Sequence, residues 1–68
     1  MADLHPATEA ILKHFTYAHL PLALQLASRP VCELAEQMAE RLPPWPELTA
    51  GLRKLLEAKD CFVRAALS

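Results

Sequence analysis

Four cationic side chains fall between Leu52 and Ala65: Arg53, Lys54, Lys59 and Arg64. Arginine is the side chain best shaped to grip a phosphate through two parallel N–H donors, and a lysine ammonium is a compact point charge for the same kind of ligand. At about 100° per residue, Lys59 falls in the centre of an apolar side made by Leu52, Leu55, Leu56, Phe62 and Val63. A lone ammonium there must find a partner or lose its proton. Two readings are open. Lys59 reaches the edge of the helix pair or meets a carboxylate, or the apolar side is a subunit seam and Lys59 meets an anion held between protomers. Arg53, Lys54, Glu57, Asp60 and Arg64 form the opposite, mixed-sign stripe, with Arg53–Glu57 and Asp60–Arg64 each one turn apart and able to pair within the helix. Arg64 also complements the negative end of the helix dipole.

A second group lies near the other end of the sequence. Phe15, Tyr17 and His19 alternate in a short segment before Pro21. Tyr17 and His19 are either edge residues or a ring and a hydrogen-bonding group able to stack on a base. Other chemistry is poorly represented. His5, His14, His19, Cys32 and Cys61 make neither Cys-x-x-Cys nor His-x-x-x-His, so no metal spacing is present. One glycine leaves no glycine-rich phosphate loop, and no nucleophile–base pairing stands out. The expectation is a non-enzyme without a cofactor.

Sixty-eight residues with 53% hydrophobic content imply a single domain over residues 1–68 that has more apolar surface than one small chain can bury. A homo-oligomer is expected. The net charge of −1 argues against binding a DNA or RNA polymer by bulk charge. No apolar run approaches the roughly 20 residues of a membrane span. Two distant cysteines and the polar opening Met1–Pro6 point to a reducing cytoplasm.

The elements that must position these residues are all helical. Pro6-Ala7-Thr8-Glu9 opens a short helix ending near His14–Thr16, with proline at the first position and an acid in the first turn. The second helix runs from about Pro21 to Leu42, with Leu24, Ala27, Val31, Leu34, Ala35, Met38 and Leu42 on one side. Pro30 interrupts it, and a kink is expected near Leu26 and Ser28. Leu22 and Leu26 break the pattern; either the first helix covers them or a subunit does. Three prolines in Pro43-Pro44-Trp45-Pro46 make a corner, with Trp45 expected to pack on its end. The third helix runs from about Pro46 to Ala66. The fold class is all-α: a short N-terminal helix and a two-helix antiparallel hairpin, assembled into an oligomer.

The runs Phe15-x-Tyr17-x-His19-Leu20-Pro21 and Leu55-Leu56-Glu57-Ala58-Lys59-Asp60-x-x-Val63-Arg64-Ala65, with Thr8-Glu9-x-Ile11, Leu24-Gln25 and Ser28-x-Pro30 between and before them, resemble small phage proteins of the helical-hairpin group that includes the anti-CBASS and anti-Thoeris sponges. The likeness covers nearly the whole chain. It implies a phage protein in the cytoplasm of a bacterial host. Such a protein sequesters cyclic di- or trinucleotide immune signals, or cyclic ADP-ribose-type signals, without cutting them. It also implies an oligomer, most often a hexamer, with pockets between protomers. On this resemblance Tyr17 stacks on the base, Arg64 contacts phosphate and Arg29 is the candidate basic residue of the first long helix. His19, Lys59 and Arg53 complete the expected ligand-binding set. This chain is shorter than many members and lacks their loop between the long helices, which leaves ring size and protomer number open. The alternative is a helical oligomeric interaction module that inhibits a host protein; a nuclease or phosphodiesterase is a more distant option.

Overall fold

The computed structural model describes residues 5–67. They form α1 (Pro6–Leu12), a 3-10 turn (Lys13–Phe15), α2 (Leu22–Arg41) and α3 (Pro46–Leu67), packed together with no strand among the described residues. No described helix is long and apolar enough to cross a membrane.

Proline sets most of the boundaries. Pro6 opens α1, where its missing N–H would have had no helical partner in any case. His5 caps that end, its Nδ1 accepting from the Ala7 N–H at 3.1 Å. The 3-10 turn ends at Thr16, whose backbone switches to extended and whose hydroxyl donates to the Lys13 carbonyl at 3.1 Å. Tyr17–Leu20 then form a turn latched by Gln25, whose Nε2 donates to the Leu20 carbonyl at 2.8 Å and to the Ala18 carbonyl at 3.4 Å. Pro21 caps α2, and Pro46 opens α3 directly after the Leu42–Trp45 connection.

α2 runs unbroken through Pro30. A proline there removes the hydrogen bond to the Leu26 carbonyl, and both Leu26 and Pro30 belong to the exposed side of the helix, where water can take the missing donor's place.

The core is built from all four elements. Phe15 from the 3-10 turn is fully buried, and it packs with Ile11, Val31, Cys32, Ala35, Leu48 and Leu52; Leu12, Tyr17, Met38, Leu55 and Leu56 close around it. Burying one ring of this size contributes about 1.5–3 kcal/mol. The small row Ala27, Val31, Ala35 and Ala39 on α2, at i+4 spacing, lets the neighbouring elements come close. α2 and α3 share the most extensive contact of any pair of elements.

Several expectations about packing are corrected. Trp45 does not pack on the end of the helices; it is 67% exposed, because Leu48 already closes that end of the core. Of the two readings left open for Leu22 and Leu26, cover by α1 does not hold: each is 73% exposed. With only seven residues, α1 is about 10 Å long and cannot reach along all of α2. Leu34 and Leu42, assigned to the buried side of α2, are substantially exposed, whereas Ser28, Cys32 and Ala39 are buried instead. Phe62, assigned to the apolar side of α3, is also exposed, as is Leu67.

The resulting body measures 36 × 21 × 16 Å with a radius of gyration of 12.2 Å. A compact chain of this length would have a radius of about 11 Å, so the molecule is elongated along its two long helices. Gly51 lies inside α3 without a positive φ. A Cβ added there would meet nothing within 4 Å. A glycine in a helix interior costs about 1 kcal/mol relative to alanine, and neither backbone conformation nor packing within the chain calls for one.

Candidate functional site

α1 and α3 lie against each other with matched spacings. Ala7, Ala10, Ile11 and His14 come from one face of α1 and its continuing turn. Thr49, Arg53 and Leu56 come from one face of α3. Between them is a cleft of about 430 Å³ lined by these seven residues. Its volume falls within the range of small-molecule sites. The two alanines keep one wall low, Ile11 and Leu56 supply an apolar surface, and the polar groups are the Arg53 guanidinium, the Thr49 hydroxyl and the His14 imidazole. Among the described residues no carboxylate lines the cleft. Glu57, one turn from Arg53, does not pair with it, and Arg53 has no ion pair or hydrogen bond among the described residues. An unengaged guanidinium beside a hydroxyl and an imidazole suits a small anion carrying a planar or apolar part.

Lys59 has a different situation. Its side chain is 13% exposed, and its Nζ donates to the backbone carbonyl of His14 at 2.8 Å. Asp60 Oδ1 lies 3.6 Å away, itself half exposed. The cation in the middle of the apolar side of α3 thus ties that helix to the 3-10 turn by satisfying a carbonyl that ends a helical segment, a position that favours positive charge. Through His14 it also holds one wall of the cleft.

The other expected site residues are dispersed. Tyr17 is half-buried against the core, and its carbonyl accepts from the Leu20 N–H at 3.0 Å. His19 is exposed in the turn before α2. Arg29 pairs with Glu33 at 3.6 Å, both exposed, a contact worth a few tenths of a kcal/mol. Arg64 directs Nη2 at Cys61 Sγ, 3.3 Å away, near the end of α3. None of these four lines the α1–α3 cleft; Arg53 does, and Lys59 supports it. The residues the sequence reasoning passed over are His14, weighed only as a metal ligand, and Thr49. Their signal was the i, i+4, i+7 spacing of Thr49, Arg53 and Leu56 facing the same kind of spacing in Ala7, Ile11 and His14.

Cys32 is buried beside Glu36, with Sγ 3.6 Å from Oε1. Burial first, then the Glu36 charge and hydrogen bond, push its thiol up to about 11; Cys61 is exposed. Among the described residues no group of three histidine, cysteine, aspartate or glutamate side chains is placed to hold a metal ion. Comparison with protein-family models, with curated proteins and with solved structures finds no match to this chain.

Proposed function

We propose that this chain is a sequestering protein that captures a cyclic di- or trinucleotide between helical protomers and holds it intact, as a phage anti-defence sponge in a bacterial host does. In this reading α2 and α3 form an antiparallel hairpin, bent at Pro30, and several hairpins assemble into a closed oligomer, a hexamer being the size the resemblance implies. The observation that carries it is Arg53, which among the described residues has no ion pair or hydrogen bond and lies with Thr49 and His14 in a cleft that no described carboxylate lines. The motif resemblance around Tyr17-x-His19-Leu20-Pro21 and Val63-Arg64-Ala65 supplies the ligand class. Tyr17, His19, Arg29 and Arg64 lie outside the cleft of a single chain, so they serve the ligand only where protomers meet. Capture of this kind needs stoichiometric binding and preorganised groups rather than a reaction.

The test is titration calorimetry against a panel of cyclic di- and trinucleotides and cyclic ADP-ribose isomers, followed by heat release and mass analysis of the ligand. Saturable binding with intact ligand recovered is expected, and Arg53→Ala should weaken it about tenfold or more, the loss expected for a charge-assisted phosphate contact. Absence of binding across the panel at micromolar concentrations overturns the reading, and recovery of cleaved ligand replaces it with a hydrolase.

A second reading rests on a different observation. Leu22 and Leu26, among the most exposed large apolar side chains, are not part of the cleft. A helical module that blocks a host protein through that surface would account for them. A stoichiometric host partner that stays bound after nucleotides are removed, and is lost in Leu26→Lys, would favour this reading.

A further inference from the structure

Beside the cleft's α3 residues but sharing none of them, α2 and α3 leave an open apolar groove of about 310 Å³. Leu34, Met38 and Leu42 form one wall and Leu48 and Leu55 the other; Gly51 lies between, where a Cβ would touch nothing. Glu47 stands at the rim. Two features of this groove have no explanation inside one chain. A glycine weakens the middle of α3 without making room for any residue of its own molecule. Leu34 and Leu42, two large apolar side chains, are left facing water.

We propose that a second copy of this chain occupies the groove, its α3 crossing α3 of the first antiparallel at Gly51. The inference deepens the proposed assembly by naming the surface that makes it. Three observations favour a second copy over an unrelated partner. First, the patch is its own complement: the exposed Leu34 and Leu42 project beside a recess floored by glycine, so a two-fold axis places each projection over the other copy's recess. Second, the charges agree. In an antiparallel crossing centred on Gly51, Glu47 of one copy stands opposite Lys54 of the other, twice by symmetry. Among the described residues neither Glu47 nor Lys54 has an ion pair within its own chain. Third, the chain exposes 4938 Å², where a compact monomer of this mass exposes about 4300 Å². The excess of roughly 600 Å² belongs to the chain as a whole and goes with its elongated body; it leaves apolar surface for a second copy to cover.

Sedimentation velocity across a dilution series, with emission of Trp45 as a second readout, tests the assignment. Trp45 is the only tryptophan and is exposed three residues after Leu42 of the groove wall, so assembly should shift its emission to the blue. Wild type is expected as a dimer or a multiple of dimers at tens of micromolar. Gly51→Leu has space in its own chain and raises helix propensity, so its helical circular dichroism should be kept or increased while assembly weakens about 100-fold or more. Glu47→Lys and Lys54→Glu should each weaken assembly about tenfold through the two symmetric pairs, and the double reversal should recover most of the loss. Wild type that stays monomeric, a Gly51→Leu protein that assembles like wild type, or charge reversals that fail to compensate would each overturn the proposal. Nucleotide binding measured in parallel separates the two ideas: assembly lost at Gly51 with or without ligand capture concerns this interface, whereas an assembled wild type that captures no nucleotide concerns the proposed function alone.

Discussion

Replacing Lys59 with methionine keeps the aliphatic stem and removes the ammonium. The wild-type side chain is largely buried and donates to the His14 carbonyl at 2.8 Å. A hydrogen bond from a charged donor is worth about 1.5–3 kcal/mol. His14 is exposed, so water can reach the abandoned carbonyl, and the lower end of that range applies. The ion pair to the half-exposed Asp60 adds only a few tenths of a kcal/mol. A domain of this size has roughly 3–10 kcal/mol of total stability, and about 1.5 kcal/mol shifts its melting point by roughly 6–12 °C. Thermal melting followed by helical circular dichroism measures this; wild type and Lys59→Met must be compared at one protein concentration, because assembly moves the midpoint. Loss of 6 °C or more, with nucleotide binding reduced only through instability, is the expected result. A variant that melts within a degree or two of wild type yet fails to bind nucleotide would refute the structural role and assign the ammonium to a ligand.

Ser28 is fully buried and its hydroxyl has no hydrogen-bond partner among the described residues; Ser28→Ala should therefore raise stability by about 0.5–1.5 kcal/mol, read from urea unfolding, and a loss would show that the hydroxyl is satisfied. Pro30→Ala restores a donor to the Leu26 carbonyl and should stabilise the chain by about 1 kcal/mol or more, visible in the same unfolding curves; destabilisation would mean that the ring itself supports the native helix. At pH 8 a thiol reagent should label Cys61 rapidly and leave Cys32 unmodified until the chain unfolds, since burial and Glu36 hold the Cys32 thiol up to about 11. Because the folded state holds that proton more tightly than the unfolded chain, the Cys32 contribution is fully present below about pH 9 and is lost as pH rises through about 11; a Cys32→Ala protein should not show that alkaline loss in denaturant titrations run between pH 8 and 11.

The helices were legible because proline writes their ends. Pro6, Pro21 and Pro46 place the starts within a residue, and α2 and α3 end within one residue of the expected limits. The short first element was expected as one helix ending near His14–Thr16; it divides into α1 and a 3-10 turn, a tightening common at helix ends that residue types do not announce. Burial was less legible. A 3.6-residue period identifies a face but not how much of it a neighbour covers, and the short α1 leaves Leu22, Leu26, Leu34 and Leu42 uncovered. Cys32 is buried in the cluster that Phe15 enters from the 3-10 turn, which local periodicity cannot reveal. The cleft was half legible: Arg53 was expected as a ligand residue, while His14 and Thr49 join it only through the packing of α1 on α3. The partner of Lys59 was out of reach, since the acceptor is a main-chain carbonyl 45 positions away and every residue carries one.

That contact has a lopsided mutational signature. One end of the tie is a side chain that few residues can replace; the other is an atom that any residue at position 14 would present. A saturation scan should find position 59 intolerant for stability, while position 14 accepts most residues without loss of fold and changes only what the imidazole contributes to the cleft. Pairwise covariation between the two positions should be weak even though they touch, so the tie that joins the beginning of the chain to its end would be invisible to any method that infers contacts from compensating substitutions.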